Sequence, residues 1–295
     1  MRSGCPHRRF LLPVLGIALT VSAADVVAQV PATDTRTVTD RYIELTFQRR
    51  YDELRDLYAP DAEFFDPTGD VFAGRAADGP VHGADAIVDL QKSWNIADAA
   101  FDVAAAFTVG EYSLYRGTLT VQFGGSSARY AVRPFLTVLR VRDGRVVLRN
   151  DFGEYVESFD LGDGFDEATK DTRAVADRYL AAYTGADLAT QAELLAPDVR
   201  FQDPTAQVFG PSSGQLFESA EALLARRRQI YERIGAFAFD PEGSFAANHH
   251  AVYWGTVRYS AGGARYIQPA VMIVEVHDGR VTRHWDFVDY SVGPS

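Results

Sequence analysis

A short string, Phe64-Phe65-Asp66-Pro67-Thr68, returns as Phe201-Gln202-Asp203-Pro204-Thr205, 137 positions later. Each copy follows an Ala-Pro-Asp turn, at Ala59-Pro60-Asp61 and Ala196-Pro197-Asp198. Read back at the same offset to Asp34 and Asp171, 15 of 35 positions are identical. Chance supplies about two or three such matches, so the chain carries an internal duplication. Whatever one half folds into, the other half has to fold into as well. The 295 residues leave room for two domains of ordinary size. The repeats run over residues 34–160 and 169–290. The stretch between them, 161–168, opens with Leu161-Gly162-Asp163-Gly164-Phe165-Asp166 and reads as a glycine-rich, acidic linker.

Residues 1–28 read as a removable export leader. Arg2, Arg8 and Arg9 precede an apolar run from Phe10 to Val21 that is short for a membrane span. Small residues follow, with cleavage expected after Ala24 or Ala28. The pair Arg8-Arg9 leaves a twin-arginine route open beside the ordinary secretory one. The expected location is secreted or periplasmic. The one cysteine, Cys5, falls inside the leader, so the mature chain has no disulfide, thiolate metal site or cysteine nucleophile. A net charge of −11 repels phosphate backbones and anionic surfaces. Nucleic acid is therefore not an expected partner, nor is a membrane once the leader is removed.

Each repeat opens on an amphipathic helix, with Val38, Tyr42 and Leu45 on one face and Val175, Tyr179 and Ala182 on its counterpart. A short second helix carries Leu54, Leu57 and Tyr58, matched by Leu194 and Leu195. The proline after each Asp disfavours helix at the Asp, placing Asp66 and Asp203 in an extended segment or turn. A third helix begins near Gly83. The period then changes to two. Strands are expected over 112–123, 130–141 and 145–155 in repeat one, and over 237–246, 251–259, 265–276 and 280–290 in repeat two. Asp143-Gly144 and Asp278-Gly279 mark tight hairpins. Helices first and antiparallel strands after give an α+β fold, a curved sheet wrapped over its helices with a cavity between.

This order of elements resembles the NTF2-like superfamily of cone-shaped α+β domains, to which the SnoaL-like polyketide cyclases and the ketosteroid isomerases belong. The resemblance covers nearly all of both repeats. Its most specific part is Asp177-Arg178-Tyr179-Leu180-Ala181-Ala182-Tyr183 running on to Phe201-Gln202-Asp203-Pro204. It implies two tandem domains paired through their sheets as an intramolecular pseudo-dimer. It also implies a base position at Asp203 and Asp66, and an oxyanion-donor position at Tyr179 and Tyr42. One departure is visible. The isomerases keep a second, protonated Asp on the penultimate strand, where this chain has Thr137 and Met272.

Aligned on that family, His284 and Asp286 face the cavity of repeat two, with Arg149 and Asp151 in the same places in repeat one. Gln268 and Arg133 are expected to point inward from the strand before, and Trp254 is placed with them as a substrate contact. A carboxylate at the mouth of an apolar cone loses hydration, and its pKa rises toward that of a general base. A tyrosine hydroxyl is a neutral donor for a developing oxyanion. Asp286 is suited to fixing the tautomer of His284. Each residue also has a structural reading: Asp before Pro as a turn residue, Tyr as helix core, and the His-Asp pair as strand neighbours. Arg133 and Arg149 are expected to hold Asp66 as an ion pair with a depressed pKa, which makes repeat two the expected active pocket. No metal and no cofactor is called for; His249-His250 is a poor metal site because adjacent rings on a strand diverge. The expected activity is acid–base isomerisation, cyclisation, hydration or dehydration of a small hydrophobic or polycyclic molecule. The alternative is a ligand-binding or protein-association module without catalysis.

Overall fold

The computed structural model describes residues 32–69, 79–155, 163–210, 212–235 and 237–295. The leader lies outside them. Repeat one forms helices α1 (Ala32–Gln48), α2 (Tyr51–Leu57) and α3 (Ala84–Ser93). Its strands are β1 (Tyr58–Phe65), β2 (Val81–His82), β3 (Ile96–Val109), β4 (Tyr112–Phe123), β5 (Arg129–Arg142) and β6 (Arg145–Gly153). Repeat two forms α4 (Asp163–Thr184), α5 (Leu188–Leu194) and α6 (Ala220–Ile234). Its strands are β7 (Leu195–Gln202), β8 (Ala238–Ala247), β9 (His250–Ala261), β10 (Ala264–His277) and β11 (Arg280–Val288). Because α4 starts at Asp163, most of the segment expected to be a linker is helix, and residues 161–162 fall outside the described part.

Local chemistry sets the boundaries. Asp143 and Gly144 close the β5–β6 hairpin at φ 52° and 72°, and Asp278 and Gly279 repeat this at 50° and 71°. Both residues of such a turn need the left-handed region, which Asp and Gly tolerate. Ser219 caps α6 by accepting from the Ala222 N–H at 3.2 Å. The expected second helices stop one residue short: Tyr58 and Leu195 already belong to strands. The 14-residue β3, which takes in Ala99 to Thr108, comes ahead of the first strand expected in repeat one.

The sheets have the orders β2-β1-β6-β5-β4-β3 and β7-β11-β10-β9-β8. In each, the hairpin meander is antiparallel, and the first strand adds to the last in parallel. The inner face of each curved sheet packs on its own helices. Tyr42, Leu45, Leu54 and Ile87 meet Leu139 and Val141 in domain one, and Tyr179, Leu194 and Leu223 meet Met272 and Val274 in domain two. The outer faces pack on each other. Tyr112, Leu114, Leu136, Val138 and Phe152 of domain one form one apolar layer with Phe245, Val252, Val271, Ile273 and Phe287 of domain two. Strand alternation thus sends the buried side chains of each sheet to one of two destinations, its own cone or the partner domain.

Candidate active site

Asp66 directly follows β1 at the rim of the domain-one cone. Its Oδ1 accepts from the Thr68 backbone N–H at 3.1 Å and from the Thr68 hydroxyl at 3.0 Å, the turn chemistry of Asp-Pro-Thr. Its Oδ2 accepts from the Tyr155 hydroxyl at 2.6 Å. Gly69 makes room for this carboxylate, since a Cβ there would stand 2.5 Å from Oδ2. Thr68 in turn takes the Gly153 N–H at 2.7 Å and pins the turn to β6. Asp66 keeps partial exposure toward a cavity but is surrounded by protein. Burial, and then the negative charge of Asp151, raises its pKa to about 7 against the hydrogen bonds from Tyr155 and Thr68. Burial keeps the Tyr155 hydroxyl far above its ordinary range, so it stays a donor.

The cavity is about 120 Å³. Phe47, Phe64, Trp94, Phe123 and Phe135 give it an aromatic wall, and Asp66, Gln91, Arg149, Asp151 and Tyr155 are polar groups on that wall. Arg149 and Asp151, neighbours on the inner face of β6, form a buried ion pair with Nε–Oδ1 at 3.0 Å. The guanidinium also lies 5.1 Å from the Phe64 ring centroid and donates to Tyr42 Oη at 2.9 Å. Tyr42 itself is fully buried behind Arg149, and its hydroxyl is in contact with that of Tyr58. It therefore does not stand on the cavity wall, where the family resemblance puts an oxyanion donor.

Domain two builds the same rim. Asp203 accepts from the Tyr290 hydroxyl at 2.6 Å, from Thr205 at 2.7 Å and from the Ala206 N–H at 3.0 Å. Burial and then Asp286 raise its pKa to about 7 as well. Beneath the rim the two cones differ. Tyr183 stands where domain one has Thr46, and its hydroxyl covers Asp286 at 2.6 Å. Arg227 stands where domain one has Gln91, four residues after a fully buried aliphatic side chain in both helices. Its guanidinium stacks 4.3 Å from the Tyr183 centroid and 4.9 Å from that of Phe201, and donates to Tyr179 Oη at 2.6 Å. Phe217 replaces Val81 opposite the inner strand. Side chains thus fill the space over Asp286 that lies open over Asp151. Among the described residues the buried inner-face guanidinium lies on a strand in domain one, as Arg149, and on a helix in domain two, as Arg227, where His284 takes the strand position of Arg149.

His284 is fully buried, with Nδ1 2.8 Å from Tyr179 Oη and 3.2 Å from Arg227 Nη2, and Nε2 2.7 Å from Asp286 Oδ1. Arginine can only donate, so Nδ1 accepts and the proton sits on Nε2, facing Asp286. Burial holds the imidazole pKa below its usual value, outweighing Asp286. Burial raises the Tyr179 pKa to about 12, opposed by Arg227. Tyr179, His284 and Asp286 do come together, but with one another and with Arg227 and Tyr183; Asp203 is bonded to Tyr290 and Thr205 instead.

Three expectations are corrected here. Arg133 is exposed and does not meet Asp66. A bulge sets Gly117 opposite Phe135 and Leu119 opposite Val132, whereas Gly255 and Val257 face Ala270 and Gln268 without one. Val132, not Arg133, therefore holds the inward position of Gln268, because one inserted residue reverses the face. Asp66 consequently has a raised pKa, not a depressed one, and Arg149 is spent on Asp151. Trp254 is no cavity residue; it packs at the domain interface, with Arg116 4.7 Å over its ring. Gln268 is buried but engaged, accepting from Tyr259 at 3.0 Å and donating to the Val292 carbonyl at 2.8 Å.

Sequence reading missed Tyr155, Thr68, Gln91, Tyr183 and Arg227. The first two carried a signal: Tyr155 and Tyr290 follow their aspartates by 89 and 87 residues, and the threonines belong to the duplicated string. Gln91, Tyr183 and Arg227 differ between the repeats, so duplication could not mark them.

The SnoaL-like domain family model matches twice, over residues 39–149 and 176–284. The chain therefore belongs to the SnoaL-like domain family. Among curated proteins none matches it. Similar solved structures include an LEH-like epoxide hydrolase of M. tuberculosis, 18% identical, covering 42% of this chain and 86% of that one at a TM-score of 0.36. An NTF2-like protein of unknown function from Burkholderia pseudomallei is 21% identical, covering 41% and 92% at 0.38. A protein of ketosteroid isomerase-like fold from Catenulispora acidiphila is 16% identical, covering 40% and 87% at 0.35.

Proposed function

We propose that domain one is a cofactor-independent acid–base catalyst acting on a small, largely apolar molecule, with Asp66 as the group that moves the proton. The observation that carries this reading is the carboxyl of Asp66 itself, raised to about 7 on the wall of an aromatic cavity. A group titrating there is half ionised at neutral pH, the condition under which one residue both takes and returns a proton efficiently. The Arg149–Asp151 pair beside it is a fixed dipole for charge developing on the substrate. The cavity volume selects size. A cavity of about 150 Å³ is enough for benzene, so this one favours a single ring over a polycycle. Isomerisation, cyclisation, hydration and dehydration all fit a proton shuttled by one carboxyl. The alternative without catalysis is favoured for domain two, as a protein-association module, by Tyr183 and Arg227, which fill the cone over Asp286.

Native mass spectrometry of protein from its source identifies a co-purifying molecule. Turnover of that molecule should fall by about two to four orders of magnitude in Asp66→Asn, with affinity little changed. Unchanged turnover in Asp66→Asn would leave only the binding reading. Export belongs to the same proposal and rests on the leader sequence. Intact mass of the protein outside the cytoplasm should begin between about Ala24 and Val30, and a soluble exported chain retaining Met1 would contradict it.

A further inference from the structure

The domain-one cavity opens beside three donors that the reading above leaves unused. Arg49 lines the cavity and is exposed, so its guanidinium stands where the cavity meets solvent. Tyr51, half-buried, lines the cavity with it. Burial raises the Tyr51 pKa, and the charge of Arg49 is near enough to oppose that rise. Lys92, exposed in the last turn of α3, holds its Nζ 5.7 Å from the Tyr51 ring centroid.

The other charged groups on the cavity wall already have their partners. Arg149 is held by Asp151, with Nη2–Oδ2 at 2.5 Å. Asp66 is tied into its turn by Thr68 and Tyr155, and burial leaves it half neutral near pH 7. Arg49, in contrast, donates from Nη1 to the Ile96 carbonyl at 2.8 Å and meets no carboxylate among the described residues. A guanidinium carries five N–H donors, so this one bond leaves most of the fork free. Lys92 and the Tyr51 hydroxyl likewise meet no acceptor among the described residues.

The duplication shows that the fold does not call for this arginine. Arg49 closes the turn after α1 at φ 56°, and its equivalent Ala186 holds the same place after α4 at φ 58°. The left-handed region disfavours any side chain, and Gly or Asn suits it better than Arg. Tyr51 has Leu188 as its equivalent. The cone that stays open therefore has a cation and a hydroxyl at its mouth. The cone that Tyr183 and Arg227 fill has Ala186 and Leu188 there.

We propose that Arg49, with Tyr51 and Lys92, anchors a carboxylate on the ligand of domain one, so that the ligand is a small amphiphile with an apolar ring in the cavity and a single negative charge at its mouth. The proposal rests on the reading of this cavity as the ligand site. It concerns the end of the ligand that is held, and the carboxylate itself is left unchanged. The donors select the charge. A planar carboxylate accepts two parallel N–H bonds from a guanidinium. An ammonium would face two like charges at the mouth, and a neutral group would leave the fork to water. A dianion fits less well than a monoanion, because the net charge of −11 repels each added negative charge. An anchored end also limits how the ring can turn against Asp66.

The test uses the full chain and three probes with one ring and nearly one reach: hydrocinnamate, hydrocinnamamide and phenylpropylammonium. Isothermal titration at low salt should give hydrocinnamate a lead over the amide of about three- to tenfold, with the ammonium weakest. The lead should shrink as salt is raised to about 0.5 M, because the anchor is exposed. Arg49→Asn, which suits the left-handed backbone, should bring hydrocinnamate down to the affinity of the amide without lowering the melting temperature. Arg49→Lys, which keeps the charge, should keep part of the lead, and Lys92→Met and Tyr51→Phe should each remove part of it. If Arg49 serves only to tie α1 to Ile96, Arg49→Asn will instead lower the melting temperature and weaken all three probes together, and the proposal falls. An amide as tight as hydrocinnamate, an ammonium tighter than both, or a lead that survives Arg49→Asn also overturns it. Binding of none of the three overturns the ligand class. The lead should survive Asp66→Asn, and its loss there would move the anchor from Arg49 to Asp66 and sink the proposal. Failure of Asp66 as the proton-moving group shows in turnover alone, so the two readings fail separately.

Discussion

A carboxyl that protonates near neutrality makes a fold less stable as the pH rises. Asp66 and Asp203 both have folded pKa values of about 7 against an ordinary 3.8. Between those values the folded chain holds protons that the unfolded chain has released. The contribution is fully present below about pH 4 and is lost as pH climbs through 7. Removing the charge should therefore help most at high pH. Asp66→Asn and Asp203→Asn should each raise stability by about 1–3 kcal/mol at pH 8, and the gain should vanish by about pH 4. Thermal melts across that range check it, and a gain larger at pH 4 than at pH 8 would reverse the sign of the argument. Turnover separates the pair, since only Asp66 is on the wall of the aromatic cavity. At this scale the sequence was informative wherever the repeats agree. The Asp-Pro-Thr turns follow from the duplicated string, but the raised pKa was expected for Asp203 alone, because Arg133 and Arg149 were expected to face Asp66. Gln91 was silent because Arg227 takes its place in the second repeat and because Tyr58, its neighbour, lies on another element and meets it only after folding.

Helices and strands repeat more faithfully than the side chains between them. α1 and α4 present Tyr42 and Tyr179 identically, yet four residues later one offers Thr46 and the other Tyr183. That single position largely decides whether a cone is open, because the Tyr183 ring and the Arg227 guanidinium stack over Asp286. Thr46→Tyr should bring the same ring over Asp151 and close the cavity of domain one. The fold should hold, since a cavity receives the added volume. Binding of the co-purifying molecule, followed by isothermal titration, should weaken by at least about tenfold, and full binding in Thr46→Tyr would show that the cavity is not the binding site. The element scale also explains why the inward-facing list from sequence was partly wrong. Strand periods, Asp-Gly hairpins and helix faces were legible because they are local. The bulge between Gly117 and Leu119 is not: it depends on how β4 and β5 pair, and it turned Arg133 from the cavity to solvent.

The two domains meet as near-copies of one surface. Tyr112 of domain one lies 5.9 Å from Phe287 of domain two, and Phe152 of domain one lies 6.0 Å from His250 of domain two. Phe152 and Phe287 are equivalent positions on β6 and β11, and Tyr112 and His250 are equivalent starts of β4 and β9. The contacts are therefore reciprocal, as in a two-fold interface between identical subunits. An isolated domain one would uncover Tyr112, Leu114, Leu136, Val138 and Phe152 together, a contiguous apolar face on one sheet. Such a face is too large to remain in water. A second copy can cover it with the same geometry, because each Tyr112 then meets the Phe152 of its mate. Residues 32–155 expressed alone should therefore form a homodimer in sedimentation analysis. Val138→Glu places an unpaired charge at the centre of that face and should give monomer or aggregate. In the full chain the same change should lower the melting temperature without changing the oligomeric state, since the partner face is covalently attached. A stable, monodisperse monomer of unmodified domain one would show that the sheet face does not drive pairing, and that the two domains stay together only because they share a chain.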